Sequence, residues 1–423
     1  MTISFPFQGL DKAEFIYRAL HYAQNESHFA YYQSNQIDYP YRGFEEIMAI
    51  GKKEGLNINK ESFEGFKSFH MGEWCFGFLG YDLKNQIEEL SSENPDYLCF
   101  NDIEFFKAKT ILFFSENSCR IEGEEILSQI ISEKRTASRS QLSKPQPIET
   151  KESYIDKVKA LRQHIKNGDC YEINFCHEFS GNIKTLEPVS IYQTLNTISP
   201  KPFSCLLKFG NQFIISASPE RFLKKQGSKI ISQPIKGTRP RGKTANEDVR
   251  LKTELRNDEK ELAENMMIVD LVRNDLAKIA KTGTVKVEEI FSIYSFRQVH
   301  QMISTITAEQ REDKHFIDVI REAFPMGSMT GAPKIKVMEL IEHYEKTKRG
   351  AFSGAAGYIS PSGDFDFNVL IRSLFLNSES KKYAFQVGSA ITYDSIPEKE
   401  YEECLVKASA ILKVLEKYKE ASS

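Results

Sequence analysis

The sequence has 423 residues, of which 40% are hydrophobic and 27% charged, a composition typical of folded globular proteins and not of disordered or fibrous ones. Its 56 lysines and arginines, against 59 aspartates and glutamates, leave a formal net charge of -3. This near-balance gives no overall basic field, so we expect no nucleic acid as a partner.

No targeting or membrane segment stands out. The N-terminus MTISFPFQGLDKAEF lacks a basic region followed by an apolar one, so no secretory signal is expected. No apolar run approaches the roughly 18 residues of a membrane span. The seven cysteines show no CxxC spacing and indicate reduced thiols rather than a disulfide framework or a zinc site. We therefore expect a cytosolic protein without a membrane partner.

The chain divides into two parts by composition. Residues 1–135 are rich in aromatic side chains and contain alternating stretches such as KAKTILFF (107–114), which predict strands. Residues 136–150 combine serine, proline, glutamine and charge with little apolar periodicity, which predicts a surface linker. Residues 151–418 are predicted to form a second domain.

The second part begins with a predicted amphipathic helix. Its apolar residues recur along one face: Tyr154, Val158, Leu161 and Ile165. The Asn167-Gly168 pair predicts its end. Strands are predicted at 170–179, 203–209 and 211–218, and the last two are joined by a hairpin turn.

Further along the chain, helical spacing over 245–280 predicts one long helix. Strands are predicted within GAAGYIS (354–360), DFNVLIRSLFLN (366–377) and YAFQVGSAITY (383–393), and a last helix begins near residue 398. Many strands with few regularly alternating helices predict antiparallel sheets with helices packed outside, which is an α+β architecture.

Two pairs of glutamates stand three residues apart on the predicted helices: Glu261 with Glu264, and Glu400 with Glu403. Each pair shares a helix face. Two such pairs could converge on one hard cation such as Mg²⁺, which takes carboxylates, waters and an anionic substrate as ligands. The same spacing is also typical of a solvated helix face.

Several polar residues stand at unusual places in predicted strands. SASPERF (216–222) puts Glu220 beside Arg221, where a surface ion pair is the ordinary interpretation and a proton-donating carboxylic acid the rarer one. Arg372 stands in an apolar strand, where its guanidinium needs an internal acid or a ligand carboxylate as partner. Lys236, in SQPIKGTRPRG (232–242), is by itself compatible with a solvated cation.

Seven segments, in order, resemble the chorismate-utilising enzymes, the family of anthranilate synthase component I, aminodeoxychorismate synthase component I, isochorismate synthase and salicylate synthase. They are GDCYEIN, SASPERF, PIKGTRPRG, AENMMIVDLVRNDL, FPMGSMTGAPK, GAAGYIS…DFNVLIRS and VGSAITYDSIPEKEYEECLVKA. They span residues 168–408, and WCFGFLGYDL extends the resemblance into the first part. The resemblance implies an anthranilate synthase component I-like fold, with two large antiparallel sheets packed as a sandwich and helices outside. Residues 151–418 would then be the chorismate-binding catalytic domain.

The resemblance also implies roles for individual residues. Glu264 and Glu403 would bind Mg²⁺ directly, and Glu261 and Glu400 would support them. Glu220 would be the general acid that protonates the departing 4-hydroxyl of chorismate.

The substrate itself would be bound by cations and backbone groups, since chorismate is a dicarboxylate. The residues that the resemblance assigns to it are Arg372, Gly388 through its backbone, Lys407, Gly237, Thr238 and Thr330.

Lys236 distinguishes the branches of the family. Anthranilate synthases carry a motif similar to PIAGT at this site, whereas aminodeoxychorismate synthases commonly carry PIKGT, as this chain does. A lysine buried beside Mg²⁺ is expected to have a lowered pKa and to act as a nucleophile. In that branch it attacks C2 of chorismate, and ammonia then attacks C4 to give 4-amino-4-deoxychorismate for p-aminobenzoate and folate synthesis.

Three positions depart from family patterns. Phe352 stands where many members carry a tyrosine that contacts a substrate carboxylate. Gln301 stands where anthranilate synthases carry a histidine linked to pyruvate elimination. Glu172 stands where many members carry a glutamine and where isochorismate and salicylate synthases carry a lysine. If it lies near Lys236, it could change the pKa of that amine.

The ammonia would come from a separate glutamine amidotransferase subunit or from ammonium salts, because no such domain fits within 423 residues. Two alternatives stay open. One is anthranilate synthase component I, against which Lys236 and Gln301 both speak. The other is a non-catalytic chorismate-binding protein that has kept the fold.

Overall fold

A computed structural model describes residues 2–7, 9–58, 62–133, 139–297 and 299–420. Of the predicted linker, only residues 136–138 lie outside the described residues. Of the first part of the chain, residues 1, 8, 59–61 and 134–135 lie outside them.

The first nine strands are β1 (Thr2–Pro6), β2 (His28–Gln33), β3 (Ile47–Ile58), β4 (Cys75–Leu79), β5 (Ile103–Phe114), β6 (Ser118–Gly123), β7 (Gln141–Leu142), β8 (Gln146–Pro147) and β9 (Glu172–Thr185). The next seven are β10 (Phe203–Phe209), β11 (Gln212–Ser218), β12 (Arg221–Gln226), β13 (Lys229–Gln233), β14 (Ile235–Pro240), β15 (Lys286–Ser295) and β16 (Val299–Glu309). The last five are β17 (Gly331–Ala332), β18 (Ala355–Ile359), β19 (Phe365–Asn368), β20 (Ser373–Asn377) and β21 (Lys382–Ile391).

The helices are α1 (Lys12–Ala23), α2 (Ser62–His70), α3 (Leu127–Ser132), α4 (Lys151–Asn167), α5 (Pro188–Ile198), α6 (Ala245–Arg256), α7 (Glu259–Ala277), α8 (Phe316–Ala323), α9 (Lys334–Tyr344) and α10 (Pro397–Lys417). Short 3₁₀ turns cover Tyr81–Gln86 and Gly327–Met329. The predicted α4 is confirmed: Thr150 caps its start, and Gly168 ends it in the left-handed conformation that glycine adopts without strain.

The strands form two antiparallel layers that share β5. One layer runs β1-β6-β5-β3-β2-β10-β11-β20-β21-β9. The other runs β5-β4-β18-β19-β12-β13-β16, and β14 and β15 both pair with β16. The predicted α+β class and antiparallel pairing are confirmed.

Strand alternation separates two hydrophobic cores. In β2, Ala30 and Tyr32 belong to the core between the two layers, which α2, α7 and α8 extend. Their neighbours Phe29 and Tyr31 face the opposite way, into a second core that α1, α4, α5 and α10 cover. Successive side chains of a strand point to opposite faces, so one strand contributes to both cores.

Two predicted elements are broken in the structure. The helix predicted over 245–280 is two helices, because Asp258 accepts a hydrogen bond from the Glu261 backbone N–H and caps a new helix start. The segment 366–377 contains strand as predicted, but it is not one continuous strand: β19 ends at Asn368 and β20 begins at Ser373. The segment between them passes from one layer to the other, and Arg372 has a left-handed φ of 54° there.

The first part of the chain contributes strands to both layers. β2 pairs with β10, and β4 pairs with β18, so both layers combine strands from before and after the 136–150 segment. The division into domains at that segment stays a prediction.

The seven cysteines are free thiols, and six of them are buried. Among the described residues, no helix combines the length and the apolar composition needed to cross a bilayer.

Candidate active site

A cavity of about 550 Å³ gathers most of the predicted site residues. Its walls come from β14, α7, α10, β21, the turn before β12 and the crossover between β19 and β20. The predicted residues that line it are Lys236, Glu220, Arg372, Gly388, Lys407, Gly237, Thr238, Glu264, Glu403 and Glu261. Thr330 and Glu400 are buried but do not line it.

A β-bulge turns Lys236 toward the cavity. The register between β14 and β16 shifts between Ile235 and Thr238, and Gly237 has a φ of 86°. A Cβ at Gly237 would lie 2.9 Å from a Leu255 methyl carbon and 3.2 Å from a Glu261 carboxylate oxygen. Glycine therefore meets both the backbone and the space requirements of the bulge, and bulges of this kind re-aim side chains beside functional sites.

Lys236 is held among carboxylates. Its Nζ donates a hydrogen bond to Glu172 Oε1 and lies 4.0 Å from Glu264 Oε2. Burial by itself lowers the pKa of Lys236, but Glu172, Glu264 and Glu220 outweigh it and raise the pKa above the ordinary value. The prediction that the pKa of Lys236 is lowered is therefore wrong when only the protein's own groups act on it, because three acids face the amine.

Glu220 and its neighbour Arg221 have different surroundings. The interpretation that they form an ion pair at the surface is therefore wrong. Arg221 is fully buried and forms a two-pronged ion pair with Asp366, with N–O distances of 2.8 and 2.9 Å. Glu220 lines the cavity and is 4% exposed. Burial raises the pKa of Glu220 to about 7, so the carboxyl group can hold a proton near neutral pH.

The four predicted metal ligands contact cations of the protein. Glu261 lies 3.3 Å from an Arg239 nitrogen, and Glu403 lies 2.6 Å from Lys407 Nζ. Glu264 and Glu400 share Lys260. Across the ranges that the structure describes, no group of three or more His, Cys, Asp or Glu side chains stands close enough to hold a metal ion.

The donor set nonetheless fits a hard cation. Burial raises the pKa of Glu264 to about 7, because Lys236 and Lys260 only partly offset the loss of solvent around this carboxylate. Glu400 is 3% exposed, and among the described residues its Oε2 has no hydrogen-bond partner, as is also true of Glu172 Oε2. Buried carboxylate oxygens without partners are costly, and Mg²⁺ takes such oxygens as ligands.

Arg372 and Lys407 bring positive charge to the site. Arg372 Nη1 donates a hydrogen bond to the Lys407 carbonyl at 2.8 Å, and Lys407 Nζ donates one to the Gly388 carbonyl at 2.9 Å. Within the described residues the Arg372 guanidinium has no ion pair with a carboxylate at 4.0 Å or less. Burial lowers the pKa of Arg372 to about 10, and a ligand carboxylate would supply the missing charge.

The three departures from family patterns all lie at the site. Phe352 and Gln301 line the cavity. Glu172 lies behind the wall and contacts Lys236, as the sequence interpretation allowed. Sequence reasoning missed Lys260 and Arg239, although the i,i+4 spacing of Lys260 to Glu264 was a visible signal for the first.

The model of the chorismate binding enzyme family matches residues 7–413. The chain is 33% identical over 396 residues to anthranilate synthase component 1 of Aquifex aeolicus, covering 86% of this chain and 80% of that protein. It is 36% identical over 353 residues to aminodeoxychorismate synthase component 1 of Escherichia coli, covering 81% of this chain and 77% of that protein. The crystal structure of anthranilate synthase component I from Streptococcus pneumoniae superposes with a TM-score of 0.77 at 26% identity, covering 89% of this chain and 93% of that one.

Proposed function

This chain belongs to the chorismate-binding enzyme family and is a chorismate-utilising enzyme; from that premise we propose that it aminates chorismate at C4. The product is 4-amino-4-deoxychorismate, a precursor of p-aminobenzoate and folate, so the activity is that of an aminodeoxychorismate synthase component I. The observation that carries the proposal is the position of Lys236, whose bulged strand points it into the cavity between Glu172 and Glu264.

Lys236 acts as the nucleophile. Its ammonium first loses a proton, for which Glu172 is the hydrogen-bonded acceptor. The amine bonds to C2 of chorismate, both conjugated ring double bonds shift by one position, and the 4-hydroxyl leaves as water with a proton from Glu220. Ammonia then bonds to C4, both double bonds shift back, and the lysine leaves C2 as an amine that takes up the proton lost by the incoming nitrogen. The proton that Glu172 accepted returns to Glu220 and restores the starting state. Two allylic displacements replace one difficult substitution.

The cationic groups orient the substrate. Arg372 and Lys407 offer positive charge for one carboxylate of chorismate, at the wall that also holds Gly388. Glu264 and Glu403 would bind Mg²⁺, with Glu261 and Glu400 in support; the cation would neutralise the other carboxylate, which the surrounding acids would otherwise repel.

Ammonia is supplied by a partner. We propose a glutamine amidotransferase subunit that hydrolyses glutamine and delivers ammonia to this chain, with ammonium salts as a substitute in vitro. The name component 1 of the relatives from Aquifex aeolicus and Escherichia coli supports a two-component enzyme.

Anthranilate synthase component I is the second candidate, since the relative from Aquifex aeolicus carries that name at a similar identity. Forming anthranilate requires amination at C2 and elimination of pyruvate. A lysine that bonds to C2 would block the first step, and Gln301 stands on the wall where the elimination-linked histidine would be.

Product identification tests the proposal. The purified chain is incubated with chorismate, magnesium chloride and ammonium, and an added lyase converts aminodeoxychorismate to p-aminobenzoate. We expect p-aminobenzoate by chromatography and no fluorescence of anthranilate. Anthranilate as the main product would establish the second candidate. Mg²⁺-dependent binding of chorismate without turnover would indicate a non-catalytic binding protein.

A further inference from the structure

Lys260 joins the two helices that carry the predicted metal ligands. It lies on α7, one turn before Glu264, and its Nζ lies 3.6 Å from Glu264 Oε1. The same Nζ donates a hydrogen bond of 3.2 Å to Glu400 Oε1 on α10. One ammonium thus bridges two carboxylates from different helices, and Glu400 is 140 residues away from Lys260 along the chain.

Both carboxylates need a cation at this place. The Glu264 side chain is 7% exposed and that of Glu400 is 4% exposed, so neither charge is solvated by bulk water. A buried carboxylate without a positive partner is strongly destabilising. Lys260 is a cation that lies between them, yet Glu400 Oε2 still has no hydrogen-bond partner in the part of the chain that the structure describes.

The ammonium itself can move from this place into water at little cost in its own solvation. The Lys260 side chain is 43% exposed, whereas the two carboxylates are almost completely enclosed. A lysine has four flexible side-chain carbons and a strongly hydrated head group, so it can turn outward into water while the glutamates stay in place. A divalent cation between the helices would repel the ammonium, and the lysine side chain would then turn outward into water.

We infer that Lys260 is a built-in counter-ion, which neutralises Glu264 and Glu400 when Mg²⁺ is absent and is displaced when Mg²⁺ binds. The inference rests on the proposed function, because it takes the carboxylates of α7 and α10 as the magnesium ligands. It adds that Mg²⁺ binding is a cation exchange, in which two ion pairs break as the metal–oxygen bonds form. Lys260 therefore stabilises the metal-free protein and weakens its affinity for Mg²⁺.

Substitution of Lys260 tests this exchange in two measurements that do not depend on turnover. Magnesium chloride is titrated into the chelator-treated full chain in a calorimeter, and thermal unfolding is followed with chelator and with saturating Mg²⁺. For Lys260→Met we expect a roughly tenfold lower dissociation constant for Mg²⁺, since the competing ammonium is gone. In chelator we expect unfolding about 2–4 °C below wild type, with the difference lost at saturating Mg²⁺.

Matched variants show whether the position or merely the charge matters. Lys260→Arg keeps a cation between the helices and should retain the wild-type affinity and melting temperature. Lys413→Met removes a positive charge from an exposed position of α10 and should change neither value. Lys260→Gln, which keeps a polar side chain, should behave as Lys260→Met does.

The outcomes separate this inference from the proposed function. Mg²⁺ binding by wild type with an unchanged or weaker affinity in Lys260→Met would overturn the counter-ion role and leave the magnesium site standing. No Mg²⁺ binding and no Mg²⁺-dependent turnover by wild type would overturn the magnesium site and the inference together. Tighter binding in Lys260→Met by a protein that makes anthranilate would support the inference and overturn the amination at C4.

Discussion

Lys236 and Glu172 form a hydrogen-bonded ion pair at the wall of the cavity, although 64 residues separate them in the chain. Lys236 is 9% exposed and Glu172 is 1% exposed. The pair keeps the lysine charged and fixed in direction until substrate arrives. The pair also joins Lys236, which distinguishes the family branches, to Glu172, which stands where many members carry a glutamine.

Replacing Lys236 tests covalent catalysis. Lys236→Ala should lower the rate of aminodeoxychorismate formation by at least about 1,000-fold, because the two-step route is lost. The rate is measured with chorismate, magnesium chloride and ammonium. Without ammonium, wild type should accumulate an adduct of chorismate minus water on the peptide that contains Lys236, as seen by mass spectrometry.

The folding control for this variant removes both charges. Lys236→Ala leaves Glu172 buried without its cation, so the double variant Lys236→Met with Glu172→Gln should unfold at a higher temperature than the single variant. It should be as inactive. A rate within about tenfold of wild type in either variant would mean that ammonia attacks directly and that Lys236 only positions the substrate.

The pH dependence of the reaction should reveal Glu220. A general acid is competent while protonated, and burial raises the pKa of Glu220 to about 7. The protonated fraction then falls about tenfold for each pH unit above that value, so kcat/KM for chorismate should fall above about pH 7. The measurement holds the concentration of free ammonia constant. Glu220→Gln should be slow at every pH, and a wild-type profile that stays flat to pH 9 would exclude Glu220 as the acid.

The carboxylates of α7 and α10 should be needed for magnesium and not for folding. Glu264→Gln and Glu403→Gln should abolish Mg²⁺-dependent turnover, since each removes a charged oxygen ligand. Because burial raises the pKa of Glu264, its neutral amide should keep the melting temperature in chelator within about 2 °C of wild type. Glu259→Gln, at an exposed position of the same helix, is the matched control and should keep full activity. Normal magnesium dependence in both site variants would disprove the assigned ligands.

Phe352 offers a gain-of-contact test. Its ring lines the cavity where many relatives carry a tyrosine, so Phe352→Tyr adds a hydroxyl toward the substrate carboxylate. A hydrogen bond to a charged group contributes about 1.5–3 kcal/mol, so we expect the KM for chorismate to fall roughly tenfold with little change in kcat. An unchanged or higher KM would show that this ring does not face a carboxylate.

Local signals in the sequence were enough for some elements and not for others. The apolar stripe and glycine end of α4 predicted it correctly, because both are encoded within 18 residues. The break before α7 was missed although Asp258, followed three residues later by Glu261, is a visible capping signal. The ion pair expected between Glu220 and Arg221 was wrong because Arg221 is already paired with Asp366, a partner 145 residues away that no local pattern indicates.

The contacts of the site depend on distant pairings that no local pattern encodes. Glu172 reaches Lys236 because β9, β14 and α7 meet at one cavity, and only the complete fold brings them there. The pKa of Lys236 is raised and not lowered because these elements bring acids next to the amine. Burial was foreseeable from the motif, but the three acids facing the amine were not.

The pairing of β2 with β10 and of β4 with β18 also affects how the chain is made. A ribosome releases β2 and β4 long before residues 203–209 and 355–359 exist, so both strands emerge with an unpaired edge. Contacts between residues so far apart in sequence form slowly, and unpaired edges are prone to aggregate. Nascent chains stalled near residue 200 should therefore depend on chaperones, and the enzyme can complete its fold only after the C-terminal half has been released.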